Sequence, residues 1–258
     1  MGKYLTADQI GRVSEELCLV YSLPYLKELP GTAWEQILAS VKGGKWTGLR
    51  DNRARPDFCV QGGKSAVNFS VKTESLRFTK RRKSARDFLG CWEDLIVARP
   101  KVDELLAHGE SVGSLSAGEL GAKVLEYYNT HIVRKFEWHV ISVLLRLEGA
   151  EEKQFIYWEE SPPAIYDPDG YEWRESGKAT GTNRNINGFP KASGPPETVR
   201  AKFKWTSGGK QFYILYRIPE DADIWTVEPV KLGTDEVRNA LRHWLKLKKQ
   251  DEGGDLAT

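Results

Sequence analysis

The stretch Arg55-Pro56-Asp57-Phe58-Cys59-Val60-Gln61-Gly62-Gly63-Lys64-Ser65-Ala66-Val67-Asn68-Phe69-Ser70-Val71-Lys72-Thr73-Glu74 reads as a β-hairpin with chemistry at one end. Two β-prone runs, 58–60 and 67–71, flank a Gly-Gly connection of the composition that a tight turn needs. Asp57 enters the first strand and Lys72 leaves the second, so antiparallel pairing brings a carboxylate and an ammonium to the same end of the hairpin. A carboxylate able to hold a divalent cation, with an ammonium beside it, is suited to phosphodiester cleavage.

Composition sets the outer limits. A chain of 258 residues can bury a sizeable core. With 29% charged residues and a net charge of only +2, any nucleic-acid contact has to come from basic residues gathered locally. No run approaches the eighteen or so apolar residues of a membrane span, and Met1-Gly2-Lys3-Tyr4 does not open a signal peptide, so a cytoplasmic protein with no membrane partner is expected. Cys18, Cys59 and Cys91 lack CxxC spacing and suit buried thiols better than disulfides or zinc. P-loop, HExxH, GxSxG and EF-hand signatures are absent.

Pro56-Asp57 followed by Ser70-Val71-Lys72 resembles the PD…(D/E)xK motif of restriction-endonuclease-like nucleases, with serine at the second-carboxylate position. The S-x-K form is similar to that of type II restriction enzymes that cut around a CCGG core. The resemblance implies an α/β fold, a restriction-endonuclease-like core whose mixed central sheet is flanked by helices, followed here by an additional β-rich C-terminal part. It further implies Mg²⁺ as cofactor, double-stranded DNA as substrate and a homodimer that cuts a specific sequence. Asp57 and the Val71 carbonyl would hold the metal. Lys72 would orient or deprotonate the attacking water, or neutralise charge developing at phosphorus. With Ser70 in the acid's place, another carboxylate must complete the site. Gly11-x-x-x-x-Glu16 is similar to the family's first-helix glutamate, and Asp87 falls one residue beyond the position, held here by Arg86, from which the related enzymes supply their acid. Glu74 and Glu93 are the further candidates. On the residues alone, a repair or junction-resolving nuclease and a non-catalytic DNA-binding module stay open as alternatives.

Around this hairpin the chain divides into a nuclease core over 1–160 and a part over 161–258 that packs on it. Thr6 caps a helix whose Ile10, Val13, Leu17 and Val20 share a face; its Glu15 and Glu16 suit either the metal site or a solvated surface. A second helix covers 34–41. Arg50, Arg53 and Arg55 lie close to Asp57, suited to phosphate contact or to a solvated loop. Arg77, Lys80, Arg81 and Arg82 form the densest positive run, placed to hold a polyanion that passes Lys72. Ser84 reads as the cap of a helix carrying Phe88, Leu89, Trp92, Leu95 and Ile96 up to Pro100. The almost continuous apolar run 138–147 reads as a buried central strand, extended by 155–158. The segment 160–198, rich in Pro and Gly, reads as a long irregular loop, and its Asn183, Arg184 and Asn185 suit either base reading in the major groove or a flexible insertion. A second hairpin spans 202–217, a strand 224–227, and a helix begins at Thr234, with an apolar face suited to the core or to a second subunit.

Overall fold

The computed structural model describes residues 3–253 apart from 25, 27, 48–55, 63–64, 108–109, 135–136, 138, 149–151, 178–182, 192–199 and 209, with the backbone alone at 148 and over 244–253. Its elements in chain order are α1 (Ala7–Ser22), α2 (Gly31–Val41), β1 (Lys45–Trp46), β2 (Phe58–Gly62), β3 (Ser65–Leu76) and β4 (Trp92–Ala98). There follow α3 (Val102–Leu105), α4 (Ala117–Tyr127), β5 (Val140–Glu148), β6 (Lys153–Glu160), β7 (Tyr171–Glu175) and β8 (Asn185–Pro190). The chain ends with β9 (Phe203–Thr206), β10 (Gln211–Arg217), β11 (Asp223–Val227) and α5 (Thr234–Gly253).

The strands form two sheets. The first is mixed, in the order β1-β2-β3-β5-β6-β11, with β3 and β5 parallel and every other neighbouring pair antiparallel. The apolar run of β5 has a direct cause: Val140 and Leu144 enter one core, while Ile141, Val143, Leu145 and Leu147 enter another. A strand covered on both faces cannot alternate apolar with polar. On one side, α1 and α2 bury Val13, Leu17, Tyr21, Trp34, Ile37, Leu38 and Val41 against the sheet. On the other side lies the second sheet, an antiparallel β4-β10-β9-β8-β7, together with α4. A close approach explains one glycine: a Cβ at Gly121 of α4 would stand 2.0 Å from the Trp173 ring of β7.

The capped first helix, the second helix, the 58–71 hairpin, the central strand and its extension, and the 202–217 hairpin form as the sequence predicts. Two predictions fail. The helix expected over 84–100 is a short 3-10 turn, Ala85–Phe88, followed by β4. Gly90 turns the chain with φ of 71°, after which Leu95 and Val97 bury alternately and Leu95 pairs with Ile214, so the period of two prevails over the helical spacing. The expected loop over 160–198 contains β7 and β8, whose buried Trp173 and Ile186 carry the strand signal among turn-forming residues. Sheet membership also does not divide at residue 160: β4 belongs with the C-terminal strands, and β11 forms an edge of the first sheet.

Candidate active site

The hairpin register pairs Phe58 with Phe69 and Gly62 with Ser65, and the two phenyl rings stack 4.4 Å apart. Asp57 therefore sits where β2 begins, and its backbone is fixed on both sides. Its N–H donates to the Phe69 carbonyl at 2.9 Å, and its own carbonyl accepts from the Thr47 N–H at 3.2 Å and the Thr47 hydroxyl at 3.1 Å. Its carboxylate accepts the Val71 N–H at 2.5 Å, in the place where a longer β2 would have continued the ladder. A strand residue's N–H and C=O project to the same edge. The Val71 carbonyl thus shares the edge that Asp57 occupies.

Ser70 and Lys72 alternate with Phe69 and Val71, which belong to the helix-side core, and so stand on the face turned to the second sheet. Ser70 is completely buried; its hydroxyl favours the charged form of Asp57 without forming a well-aligned hydrogen bond. Lys72 is partly accessible as a residue, with its ammonium enclosed. Burial pulls its pKa down; the Asp57 and Glu35 charges oppose this, and Arg99 adds to it. Burial pushes the Asp57 carboxyl up, against the pull of Lys72, the Val71 N–H and Ser70.

Glu35 is the acid that sequence reasoning missed. It lies on α2, one residue past the buried Trp34, and its carboxylate accepts the Trp46 indole N–H at 3.2 Å. Burial first, and the Asp57 charge second, raise its pKa, while Trp46 and Lys72 lower it. Its signal was available as the one charged residue of α2, beside the buried Trp34.

The other expected acids stand elsewhere. Glu16 occupies the exposed side of α1, and its charge is not among those acting on Asp57, Lys72 or Glu35. Asp87 accepts the backbone N–H groups of Lys83 at 2.8 Å and Ser84 at 2.9 Å, bonds that lower its pKa and spend its carboxylate on a local cap. Glu74 follows Lys72 on the same face of β3, and its charge acts on Glu93 of β4, which is ion-paired to Arg82 at 3.2 Å. Thus Asp57, Ser70, Val71 and Lys72 come together, joined by Glu35 in place of Glu16 or Asp87.

Of the expected DNA-contacting residues, Arg77, Lys80 and Arg81 are exposed in the turn that follows β3, whereas Arg82 also lies over the Phe88 ring. Asn183 and Asn185 are exposed, Asn185 as the first residue of β8. The Arg184 guanidinium is committed to Glu175 and to the carbonyls of Val112 and Leu115, so this side chain ties β7 to the 112–115 turn rather than projecting toward a base. Arg50, Arg53 and Arg55 lie outside the described residues.

Among the described residues no three His, Cys, Asp or Glu side chains gather. Two carboxylates and a backbone carbonyl are nonetheless the hard oxygen donors that Mg²⁺ takes, with water and phosphate oxygens completing its shell. The donor set fits that ion. Comparison with family models, curated proteins and solved structures finds no match to this chain. No helix among the described residues is long and apolar enough to cross a membrane.

Proposed function

We propose that the chain is a Mg²⁺-dependent endodeoxyribonuclease with a restriction-endonuclease-like core, a type II restriction enzyme that hydrolyses double-stranded DNA at a specific sequence as a homodimer. The observation that carries this reading is the coupling of Asp57, Lys72 and Glu35 at the open end of a hairpin, beside the parallel pair β3 and β5. Three charges drawn from the hairpin and a helix are desolvated together, an arrangement that recurs at functional sites. Asp57, Glu35 and the Val71 carbonyl would hold Mg²⁺, which when bound acidifies water and stabilises charge on the phosphate. Lys72 would orient the attacking water and neutralise charge at phosphorus. Trp46 would hold Glu35 in place, and Val71 N–H would do the same for Asp57. Arg77, Lys80 and Arg81 would hold the DNA backbone.

The test is incubation of purified protein with plasmid and phage DNA and Mg²⁺. Discrete fragments are expected, lost in EDTA and in Asp57→Ala. Undigested DNA at every Mg²⁺ concentration, or digestion undiminished by Asp57→Ala, overturns the reading.

A further inference from the structure

The strand that carries Lys72 runs directly into the most cationic turn of the chain. Strand β3 ends at Leu76, and residues 77–83 cross to β4, where Arg82 pairs with Glu93 at 3.2 Å and lies over the ring of the buried Phe88. The tip of this turn is closed on itself. Thr79 and Arg82 exchange both backbone hydrogen bonds, at 2.9 and 3.3 Å, and the Thr79 hydroxyl accepts the N–H groups of Arg81 at 3.3 Å and Arg82 at 3.1 Å. A turn tied at its stem and its tip presents its outward side chains with little ordering left to do on binding.

Those side chains are of two kinds. Arg77, Lys80 and Arg81 are exposed and make no ion pair among the described residues. Between them stands Phe78, which is 39% exposed; Leu76 packs against the core between the sheets, whereas Phe78 packs into neither core. A single exposed apolar side chain is common and by itself carries no message. A phenyl ring set among three uncommitted cations is different, because the cations draw a polyanion and one polyanion, nucleic acid, also offers flat apolar surfaces in its bases. In a duplex an apolar side chain reaches such a surface by entering between base pairs and partly unstacking them. Phe78 lies six residues beyond Lys72. That separation is at most about 20 Å at the rise of a strand, or about six base pairs of duplex.

We propose that Phe78 is a base-stacking residue, which inserts beside an unstacked base of the bound DNA within about six base pairs of the scissile phosphate, while Arg77, Lys80 and Arg81 hold the flanking phosphates. The position relative to the cut rests on the nuclease reading; the stacking requires only that the turn binds DNA.

Affinity for a short DNA duplex is measured in Ca²⁺ between about 50 and 200 mM salt, and cleavage separately in Mg²⁺, for the unaltered protein, Phe78→Ala, Phe78→Leu, Phe78→Trp and Arg81→Ala. Stacking involves no charge, so Phe78→Ala is expected to weaken binding about five- to a hundredfold at every salt concentration, with the slope of log affinity against log salt unchanged. Phe78→Trp should keep the affinity, and Phe78→Leu, which supplies apolar area without a flat ring, should not. Arg81→Ala should instead lower the slope by about one. In the same duplex, 2-aminopurine, which brightens on losing its stacked neighbours, is placed at successive positions; it should brighten at one step with the unaltered protein and at none with Phe78→Ala. Equal affinity in Phe78→Ala and the unaltered protein, full affinity in Phe78→Leu, or no binding of the duplex at all overturns the proposal, whatever the cleavage. Ring-dependent binding by a protein that cleaves nothing supports stacking and overturns the nuclease reading, and cleavage with ring-independent binding does the reverse.

Discussion

Two carboxylates of the first sheet, Asp57 and Asp223, meet the backbone in opposite ways. Asp223 begins β11 and is buried, and its oxygens accept three N–H groups in succession: Lys3 at 2.6 Å, Tyr4 at 3.0 Å and Leu5 at 2.7 Å. Asp57 immediately precedes β2 and accepts one, from Val71, while burial drives its pKa up. The first carboxylate is satisfied by the chain and locks residues 3–5 onto the sheet edge. The second is held by one backbone N–H and the Lys72 charge while burial works against it, and Glu35 beside it is held by Trp46 under the same opposition. A carboxylate whose charge is opposed by burial and balanced by a nearby cation is a candidate for a functional role, whereas one bonded throughout to the backbone serves the fold.

The largest effects should separate these two kinds of charge. Asp57→Ala and Lys72→Ala are each expected to reduce Mg²⁺-dependent DNA cleavage by at least about a thousandfold, since each removes an interaction made in the transition state. Their thermal melts should stay within a few degrees of the unaltered protein. Turnover in Asp57→Ala near the unaltered rate would break the distinction at its strongest point. Glu35→Gln is expected to lower cleavage about ten- to a thousandfold, with Glu16→Gln and Asp87→Asn close to the unaltered rate. A large loss in either of the latter with none in Glu35→Gln would move the missing acid back to where the motif alone would place it.

The hairpin and its Asp57–Lys72 end were legible because they are local: strand runs, a Gly-Gly turn and a carboxylate and lysine at matching ends are all within twenty residues. The missing acid was not, because Glu35 reaches the site through the packing of α2 on the sheet, and pattern reading favoured Glu16 and Asp87 by spacing along the chain. The 84–100 segment misled for a related reason. Phe88, Leu89, Trp92, Leu95 and Ile96 fit one helical face, and only the pairing of β4 with β10, more than a hundred residues away, decides for a strand. Arg184 shows the same limit in reverse. Its residue type suits base reading, and its tertiary partners, Glu175 and two carbonyls, determine what it does.

A smaller effect, on stability alone, sharpens the other side of the comparison. Asp223→Ala would leave three N–H groups with no acceptor where Leu5 is buried, and hydrogen bonds to a charged group are worth roughly 1.5–3 kcal/mol each before solvent replaces some of them. A net loss of about 2–4 kcal/mol in urea unfolding is expected, with cleavage per folded molecule unchanged. A denaturation midpoint equal to that of the unaltered protein would show that the 3–5 segment contributes nothing to the fold.

The smallest effect concerns pH, and its sign follows from the burial of the acids at the site. The Asp57 and Glu35 carboxyls have folded-state pKa values raised above their unfolded values, so between the two values the native state binds more protons than the unfolded chain. Stability contributed by these groups is therefore present below the ordinary carboxylate range and is lost as pH rises through the raised values. Lys72 acts in another window: its lowered pKa means that the unfolded chain binds more protons above the folded value, so its contribution makes stability rise with pH there. Measured in EDTA across the acid range, Glu35→Gln should lose less stability on raising the pH than the unaltered protein does, because a glutamine carries no charge to desolvate. Mg²⁺ should reverse the order, since a ligand that binds only the native state stabilises it in proportion to its affinity, and the variant has lost a donor. Parallel stability curves for the two proteins in EDTA, with equal gains on adding Mg²⁺, would show that Glu35 is an ordinary surface acid and that only Asp57 belongs to the site.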